Sequence, residues 1–540
     1  MTSTTAPAEP LPGDVRRGPT SRGLPFAIAG VAGVAQAMAV AAPWDGRPLW
    51  WLQILSLAAL VWQLKGLTAG RAALVGWTFS TAWLTATFWW LFISMHTYGG
   101  LAAPLAAIAV VGLAAFLGSY YAAACGVFAA VARRGGWVVG AGVFGALWLL
   151  AELMRVTWFT GFPWGAGGYA HVDGPLAPLA KVVGVHGLGA VAAVTAGLLG
   201  GWQRRQRGER GVGAPLLLLA AVAALVWGGR ATYSESAGRL DVALLQGDIP
   251  QDQKFQGRTG VPLALGWYAE QLARTTASFV VTPETAIPLL PAQLPPGYLA
   301  AVNARFTEGN QAALLGIPLG SYEQGYTNSV LGLRPGQNTY RFDKHHLVPF
   351  GEFIPPLFRW FTDLMHIPLG DFNRGSVGQP SFAWKGQRLA PNICYEDLFG
   401  EELGARFAEA ASAPTVFVNV SNIAWFGNTI AIDQHLQISR MRSLEFERPM
   451  IRATNTGATA IIDWRGQVQQ VLPRHTRGVL TGEVEGRNGL TPYARWVARF
   501  GLWPLWGAGI AIVLGAWLAR RRARGAGEAP APAGSAGPAP

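Results

Sequence analysis

Charge is scarce in this chain: 13% of its 540 residues are Asp, Glu, Lys or Arg, about half of the roughly 25% usual in soluble domains. With 51% hydrophobic residues beside so little charge, a disordered chain is excluded and a wholly soluble protein is disfavoured. Cysteine is scarcer still, with two residues in all. Several motifs are missing: there is no Gly-rich loop closed by Gly-Lys-Ser/Thr, no His-Glu-x-x-His, no Cys-x-x-Cys and no internal repeat. Nucleotide, zinc-protease and dithiol chemistry therefore lack their usual residues. What the chain has instead is a positive mean hydropathy and a net charge of +12. Such a charge fits either nucleic acid or basic loops beside an anionic membrane, and its position along the chain decides between them.

The apolar residues are concentrated. Long runs occupy 24–42, 49–64, 72–95, 101–132, 137–153, 176–202, 212–228 and 498–519, several reaching the roughly 20 residues that cross a bilayer core as a helix. They predict eight transmembrane helices. Six further runs at short spacing after the first argue against a cleaved signal peptide. Basic residues alternate from loop to loop. Arg16, Arg17 and Arg22 precede the first run; Lys65 and Arg71 separate the second and third, Arg133 and Arg134 the fourth and fifth, and Arg204, Arg205, Arg207 and Arg210 the sixth and seventh. Arg520, Arg521, Arg522 and Arg524 follow the eighth. Because Lys and Arg in short loops stay in the cytoplasm, both termini are expected there, and the polar stretch between the seventh and eighth runs is expected outside. The basic excess is then topological, and nucleic acid is not a partner. Aromatic residues at the run ends, such as Trp89 and Trp90, read as interfacial anchors.

The expected layout is a disordered cytoplasmic tail at 1–22, a membrane domain with seven spans at 23–229, an extracytoplasmic catalytic domain at 230–495, the eighth helix at 496–520 and a second tail at 521–540. In the polar region, short apolar runs at 240–246, 278–282, 312–316, 328–333, 388–393, 415–420, 451–454, 459–463 and 479–484 predict strands. Segments 263–277, 297–308, 401–411 and 429–446 predict helices, giving an α/β domain large enough for its own core. Cys125 lies inside the fourth run and Cys394 in the outer domain, so the two do not pair. A lone Cys at a strand end reads by itself as a small buried hydrophobe. The neighbours of Cys394 argue otherwise. It leaves the run 389–393 and precedes Tyr395, Glu396 and Asp397, while Glu284 follows the apolar run 279–283 and Lys344 ends the run 340–344. A carboxylate, an amine and a thiol each stand at a strand-to-loop junction.

These junctions resemble the Glu-Lys-Cys triad of the nitrilase superfamily: Glu284 in Pro-Glu-Thr, Lys344 and Glu352 in Lys-His-His-Leu-Val-Pro-Phe-Gly-Glu, and Cys394 in Ile-Cys-Tyr-Glu. The Leu-Val-Pro-Phe-Gly-Glu extension, Val420-Ser421-Asn422 ahead of Trp425-Phe426-Gly427, and the flanking spans narrow the resemblance to a membrane-embedded branch, the apolipoprotein N-acyltransferases. The resemblance covers nearly the whole chain. It implies a nitrilase-like α-β-β-α sandwich joined to an α-helical membrane domain in the bacterial inner membrane, with the catalytic domain on the periplasmic face. The implied reaction moves an sn-1 acyl chain from a phospholipid, with phosphatidylethanolamine as the expected donor, to the α-amino group of an apolipoprotein's diacylglyceryl-cysteine. It would run in a monomer without cofactor or metal, through a thioester on Cys394.

In that scheme Cys394 is the nucleophile, Glu284 the general base, and Lys344 the oxyanion donor together with the backbone N–H of Tyr395. Glu352 would orient Lys344 or Glu284, and Glu396 would shape the same pocket; the other reading of each is an ordinary loop carboxylate. His345 and His346 read as positioning the Lys344 loop rather than holding a metal. The apolar segment 355–368, with Phe358, Trp360 and Phe361, would border the acyl entrance together with Trp425 and Phe426; the other reading is a helix packed in the domain core. One departure from the family pattern is Lys254-Phe255, where the resemblance implies a Trp: an aromatic ring is kept and its indole donor lost. A membrane-tethered amidase would use the same triad but pass its acyl group to water or ammonia, and eight spans exceed what a tether needs. A transporter or scaffold with a dead outer domain would lack one of the three side chains, and all three are present.

Overall fold

The computed structural model describes residues 23–132, 136–202, 213–354 and 372–527. Long helices form in all eight apolar runs: Leu24–Met38, Trp50–Leu64, Ala69–Thr87, Ala103–Val131, Trp137–Thr157, Ala180–Trp202, Gly213–Gly229 and Trp503–Gly527. Four of these regions are long and apolar enough to cross a membrane, and three others hold shorter apolar helices. The run expected at 72–95 is interrupted. Its helix stops at Thr87, and the chain turns at Phe88–Trp90 before a short turn, Leu91–Ile93, and a wide helical turn, Ser94–Tyr98. The break corrects one expectation. Trp89 is half exposed, but Trp90 is buried and donates its indole N–H to Gln434 Oε1 at 3.1 Å, so it is an internal tie rather than an interfacial anchor. The last apolar helix begins at Trp503 because a separate amphipathic helix, Pro492–Phe500, comes first, capped by Thr491 Oγ1 accepting from the Ala494 N–H. The boundary expected at 495 thus falls inside a helix.

Between the seventh and eighth long helices lie two six-stranded sheets. The first holds β1 (Ser234–Gln246), β2 (Phe279–Val281), β3 (Ala312–Ser321), β4 (Gly325–Leu333), β5 (Tyr340–Asp343) and β12 (Gly478–Gly489), in the order β12-β1-β2-β3-β4-β5. The second holds β6 (Phe382–Trp384), β7 (Gln387–Ile393), β8 (Val416–Ser421), β9 (Met450–Thr454), β10 (Ala460–Ile462) and β11 (Val468–Val471), in the order β11-β10-β9-β8-β7-β6. Each sheet has a parallel centre, β1-β2-β3 in one and β7-β8-β9 in the other, with antiparallel strands outside it. Alternation sets the layers. Leu240, Val242 and Leu244 face the other sheet and meet Ile393, Val418 and Ile451, whereas Ala243 and Leu245 face the helices Gly260–Arg274 and Tyr298–Thr307. On the far side Phe417, Met450 and Ile462 pack with Phe446, Tyr493 and Val497. The result is the expected α-β-β-α sandwich. All nine expected strands form, β5, β6 and β11 are additions to them, and the helix expected at 401–411 shrinks to Gly400–Gly404 followed by a tight turn, Ala405–Phe407. The segment 355–368, with Phe358, Trp360 and Phe361, lies outside the described residues.

The helix Ala431–Phe446 joins the two halves. It is buried along almost its whole length although much of it is polar, and several of its polar side chains find partners on the membrane-half side. Gln434 Oε1 accepts the indole N–H groups of Trp90 and Trp164, the latter at 2.8 Å, while its Nε2 donates to the Thr87 carbonyl at 3.0 Å. Gln437 donates to the Gly46 carbonyl, Arg440 pairs with Asp173, and Glu445 accepts the Val185 N–H at 2.6 Å. Just beyond the helix, Glu447 receives Lys181 at 2.9 Å. One apolar cluster runs without a break from Trp83 and Trp148 of the long helices to Ile432, Ile438 and Met441.

Candidate active site

The polar groups gather where the strands of both sheets end, the usual place for a site in a parallel sheet. After β2, Thr282-Pro283 carries Glu284 into the interior, and Thr285 takes a left-handed φ of 51°. Strand β3 runs close behind: a Cβ on Gly316 would stand 2.0 Å from the Pro283 carbonyl oxygen, so the turn needs glycine there. Lys344 leaves β5 with its N–H donated to the Asn328 carbonyl at 2.8 Å. Cys394 follows β7 with a φ of 52° and opens the tight turn Cys394–Leu398. A non-glycine residue held there costs about 1–3 kcal/mol, strain of a kind that clusters at functional sites.

Glu284, Lys344 and Glu352 form one buried cage. Lys344 Nζ lies 3.3 Å from Glu284 Oε1 and 2.9 Å from the Glu352 carboxylate. Asn328 Nδ2 donates to both carboxylates, at 2.7 Å each. Asn422, past the end of β8, gives its backbone N–H to Glu284 Oε2 at 2.8 Å, and Val348 gives its own to Glu352 Oε2 at 2.8 Å. A second buried amine, Lys254, donates to the Glu284 carbonyl oxygen at 3.1 Å.

Electrostatics sort the groups into roles. Burial pushes Glu284 toward its neutral form, but Lys344, Lys254 and the hydrogen bonds from Asn328 and Asn422 outweigh it and hold the carboxylate below its ordinary range. Burial also works against the Lys344 ammonium, yet Glu352 and Glu284 keep it charged far into the alkaline range. The Cys394 thiol is pushed up to about 12 by burial and by the Glu284 charge, with Lys344 and the Ser421 hydroxyl acting the other way. Burial lowers Lys254 to about 8 against the pull of Glu284. At neutral pH the site therefore holds a neutral thiol beside an ionised carboxylate and a fixed ammonium.

Glu396 is a staple. Its Oε2 accepts the Ile393 N–H at 2.7 Å and its Oε1 the N–H groups of His345 (2.7 Å) and His346 (3.3 Å), binding the Cys394 turn to the loop after Lys344. His346 stacks on Phe399 and bonds Glu402 at 2.9 Å, while His345 meets the Gly375 carbonyl. Among the described residues no group of acidic, His or Cys side chains could hold a metal ion. The Tyr395 side chain points at the membrane half, donating its hydroxyl to the Gly161 carbonyl at 2.9 Å. Trp425 and Phe426 sit at the seam, Trp425 against Tyr98 and Phe426 against Trp90, with ring centres 5.9 and 4.2 Å apart. Sequence reasoning missed Asn328, the backbone N–H of Asn422 and the amine of Lys254; a polar residue inside an apolar strand was the available signal for the first.

Comparison with known proteins matches residues 32–198 to the apolipoprotein N-acyltransferase N-terminal domain and residues 241–493 to the carbon-nitrogen hydrolase family. The apolipoprotein N-acyltransferase of Verminephrobacter eiseniae is 60% identical over 504 residues, covering 89% of this chain and 93% of that one. This chain belongs to the apolipoprotein N-acyltransferase family. Its likeness to the family extends to the Ralstonia nicotianae apolipoprotein N-acyltransferase, at 46% identity over 88% of this chain and 90% of that one, and to the Pseudomonas aeruginosa apolipoprotein N-acyltransferase, at 37% over 91% and 94%. Both matched regions of the family lie in the folded halves described above, one in the helices and one in the sandwich.

Proposed function

We propose that this family member is an acyltransferase with Cys394 as nucleophile, Glu284 as general base and Lys344 as oxyanion donor. The observation that carries the reading is the cage itself: an ionised carboxylate and a fixed ammonium bond each other, and the carboxylate also accepts from Asn328, beside the strained turn that opens on the lone outer thiol. The Cys394 proton passes to Glu284 as sulfur attacks the sn-1 ester of a phospholipid, so a free thiolate need not accumulate. Lys344 meets the oxyanion, with the Tyr395 N–H as its partner, in a site where fixed charge acts strongly. Glu284 returns the proton to the departing lysophospholipid. The diacylglyceryl-cysteine amine of an apolipoprotein then attacks the thioester carbon and gives its proton to Glu284; the C–S bond breaks, Glu284 returns that proton to the Cys394 sulfur, and the amide leaves. Ester to thioester to amide ends in the more stable bond and needs no nucleotide. Glu352, held by Lys344 and Asn328, keeps the ammonium in place, and Glu396 fixes the turn.

Phosphatidylethanolamine is the proposed donor, and the protein acts as a monomer. Eight spans, with both termini in the cytoplasm and residues 230–495 on the periplasmic face, present the site to lipid. Trp425 and Phe426, at the seam, border the acyl entrance. The test is intact-protein mass measurement after exposure to phospholipid, with Cys394→Ala and Glu284→Gln as controls. An acyl adduct on Cys394 that discharges onto a diacylglyceryl-cysteine peptide is expected; no adduct on the wild type sinks the mechanism.

A further inference from the structure

On the seam side of Cys394 lies a closed set of buried groups that the mechanism above does not use. The Cys394 carbonyl oxygen lies 3.3 Å from His435 Nε2 and accepts from Asn419 Nδ2 at 3.3 Å. His435 Nδ1 faces Arg452 NH2 at 3.1 Å; a guanidinium only donates, so Nδ1 is the acceptor and the imidazole proton sits on Nε2. That N–H is shared between the Cys394 carbonyl and Asp397 Oδ1, the latter at 2.9 Å. The other Asp397 oxygen accepts from the Ser439 hydroxyl, and Arg452 donates to Ser439 and to the His435 carbonyl. His435, Asp397, Ser439 and Arg452 are fully buried, and Trp164 from the membrane half covers the imidazole with ring centres 5.5 Å apart.

The Cys394 carbonyl and the Tyr395 N–H belong to one peptide plane. In a trans peptide they point in opposite directions, so a donor that holds the carbonyl aims the N–H the other way. We infer that His435, fixed by Arg452 and Asp397, is a positioning residue that orients the Cys394–Tyr395 peptide so that the Tyr395 N–H faces the developing oxyanion. The inference rests on Cys394 being the nucleophile.

The experiment compares two reactions of the same thiol in the full-length protein in detergent: acyl transfer from phospholipid, which forms an oxyanion, and alkylation by iodoacetamide, which does not. His435→Phe should lower kcat for transfer about 100-fold, as loss of an oxyanion donor does, with the KM for phospholipid unchanged. It should leave the alkylation rate within about twofold, while His435→Gln, whose amide N–H reaches the same carbonyl, recovers most of the transfer. Transfer within about threefold of wild type in His435→Phe, or transfer and alkylation falling together, overturns the inference. If His435→Phe shows no cooperative unfolding transition, Asn419→Ala, which removes the other donor to that carbonyl, decides by the same two rates. Cys394→Ala is the separating control. If it retains transfer, the nucleophile assignment falls and takes this inference with it; if it is inactive while His435→Phe stays active, only this inference falls.

Discussion

Lys344 is held from two sides by carboxylates that also share Asn328, so removing either neighbour has a predictable sign. Lys344→Met should slow thioester formation on the order of 10²–10³-fold, read by rapid-quench mass spectrometry of Cys394. Asn328→Ala removes a donor that favours the ionised form of Glu284. The Glu284 pKa should then rise, and because the base must be ionised, the acid limb of the acylation rate should move to higher pH. In the wild type that limb should lie below the ordinary carboxylate value of about 4.3, because Lys344, Lys254 and the hydrogen bonds to Glu284 favour its ionised form. Single-turnover acylation against pH measures both; an unmoved limb in Asn328→Ala contradicts the assignment. With the thiol pushed up to about 12, iodoacetamide labelling of the resting protein should stay slow through neutral pH and rise only under strongly alkaline conditions. The strand-end positions of Glu284, Lys344 and Cys394 were legible in the sequence because each ends an apolar run. Asn328 and His435 stand out only as polar residues, and nothing in a single strand or helix tells which polar side chain faces a partner across a sheet or seam; Asn422 reaches Glu284 through its backbone N–H, which side-chain chemistry does not reveal.

At the scale of elements, short apolar runs were enough for the strands of the two parallel centres, which are buried on both faces. The two edge strands of the second sheet escaped that signal. Phe382–Trp384 is three residues long, and Val468–Val471 carries two glutamines, too little apolar alternation to register. The interruption after Thr87 also escaped, because Phe88, Trp89 and Trp90 are as apolar as the helix they end, and the partner that both Trp90 and the Thr87 carbonyl meet, Gln434, is more than 300 residues away. Close passage matters more than propensity at β3. Gly316→Ala places a methyl against the Pro283 carbonyl, an overpacking that should cost about 1–3 kcal/mol and shift the Glu284 turn. Thermal unfolding in detergent should fall and acyl transfer with it; an unchanged transition together with full activity contradicts the contact.

For the molecule as a whole, the seam decides behaviour. Gln434→Leu leaves two indole N–H groups and the Thr87 carbonyl without their shared partner, a loss of about 2–4 kcal/mol by the cost of unpaired buried groups, visible as a lower unfolding temperature. Residues 230–495 expressed alone should aggregate on size exclusion, because Ile432, Ile438 and Met441 lose the cover of the long helices. Sequence reasoning placed the helix at 429–446 but could not tell that its Gln, Arg and Glu side chains point inward, since polar residues on a helix ordinarily mark its wet face. Those side chains act as a code of matched partners: Gln434 with Trp90 and Trp164, Gln437 with Gly46, Arg440 with Asp173, Glu445 with Val185 and Glu447 with Lys181. Exchangeability between relatives follows from that code. A chimaera that takes its sandwich from one homologue and its helices from another should assemble only when residues 431–447 travel with the helices that read them.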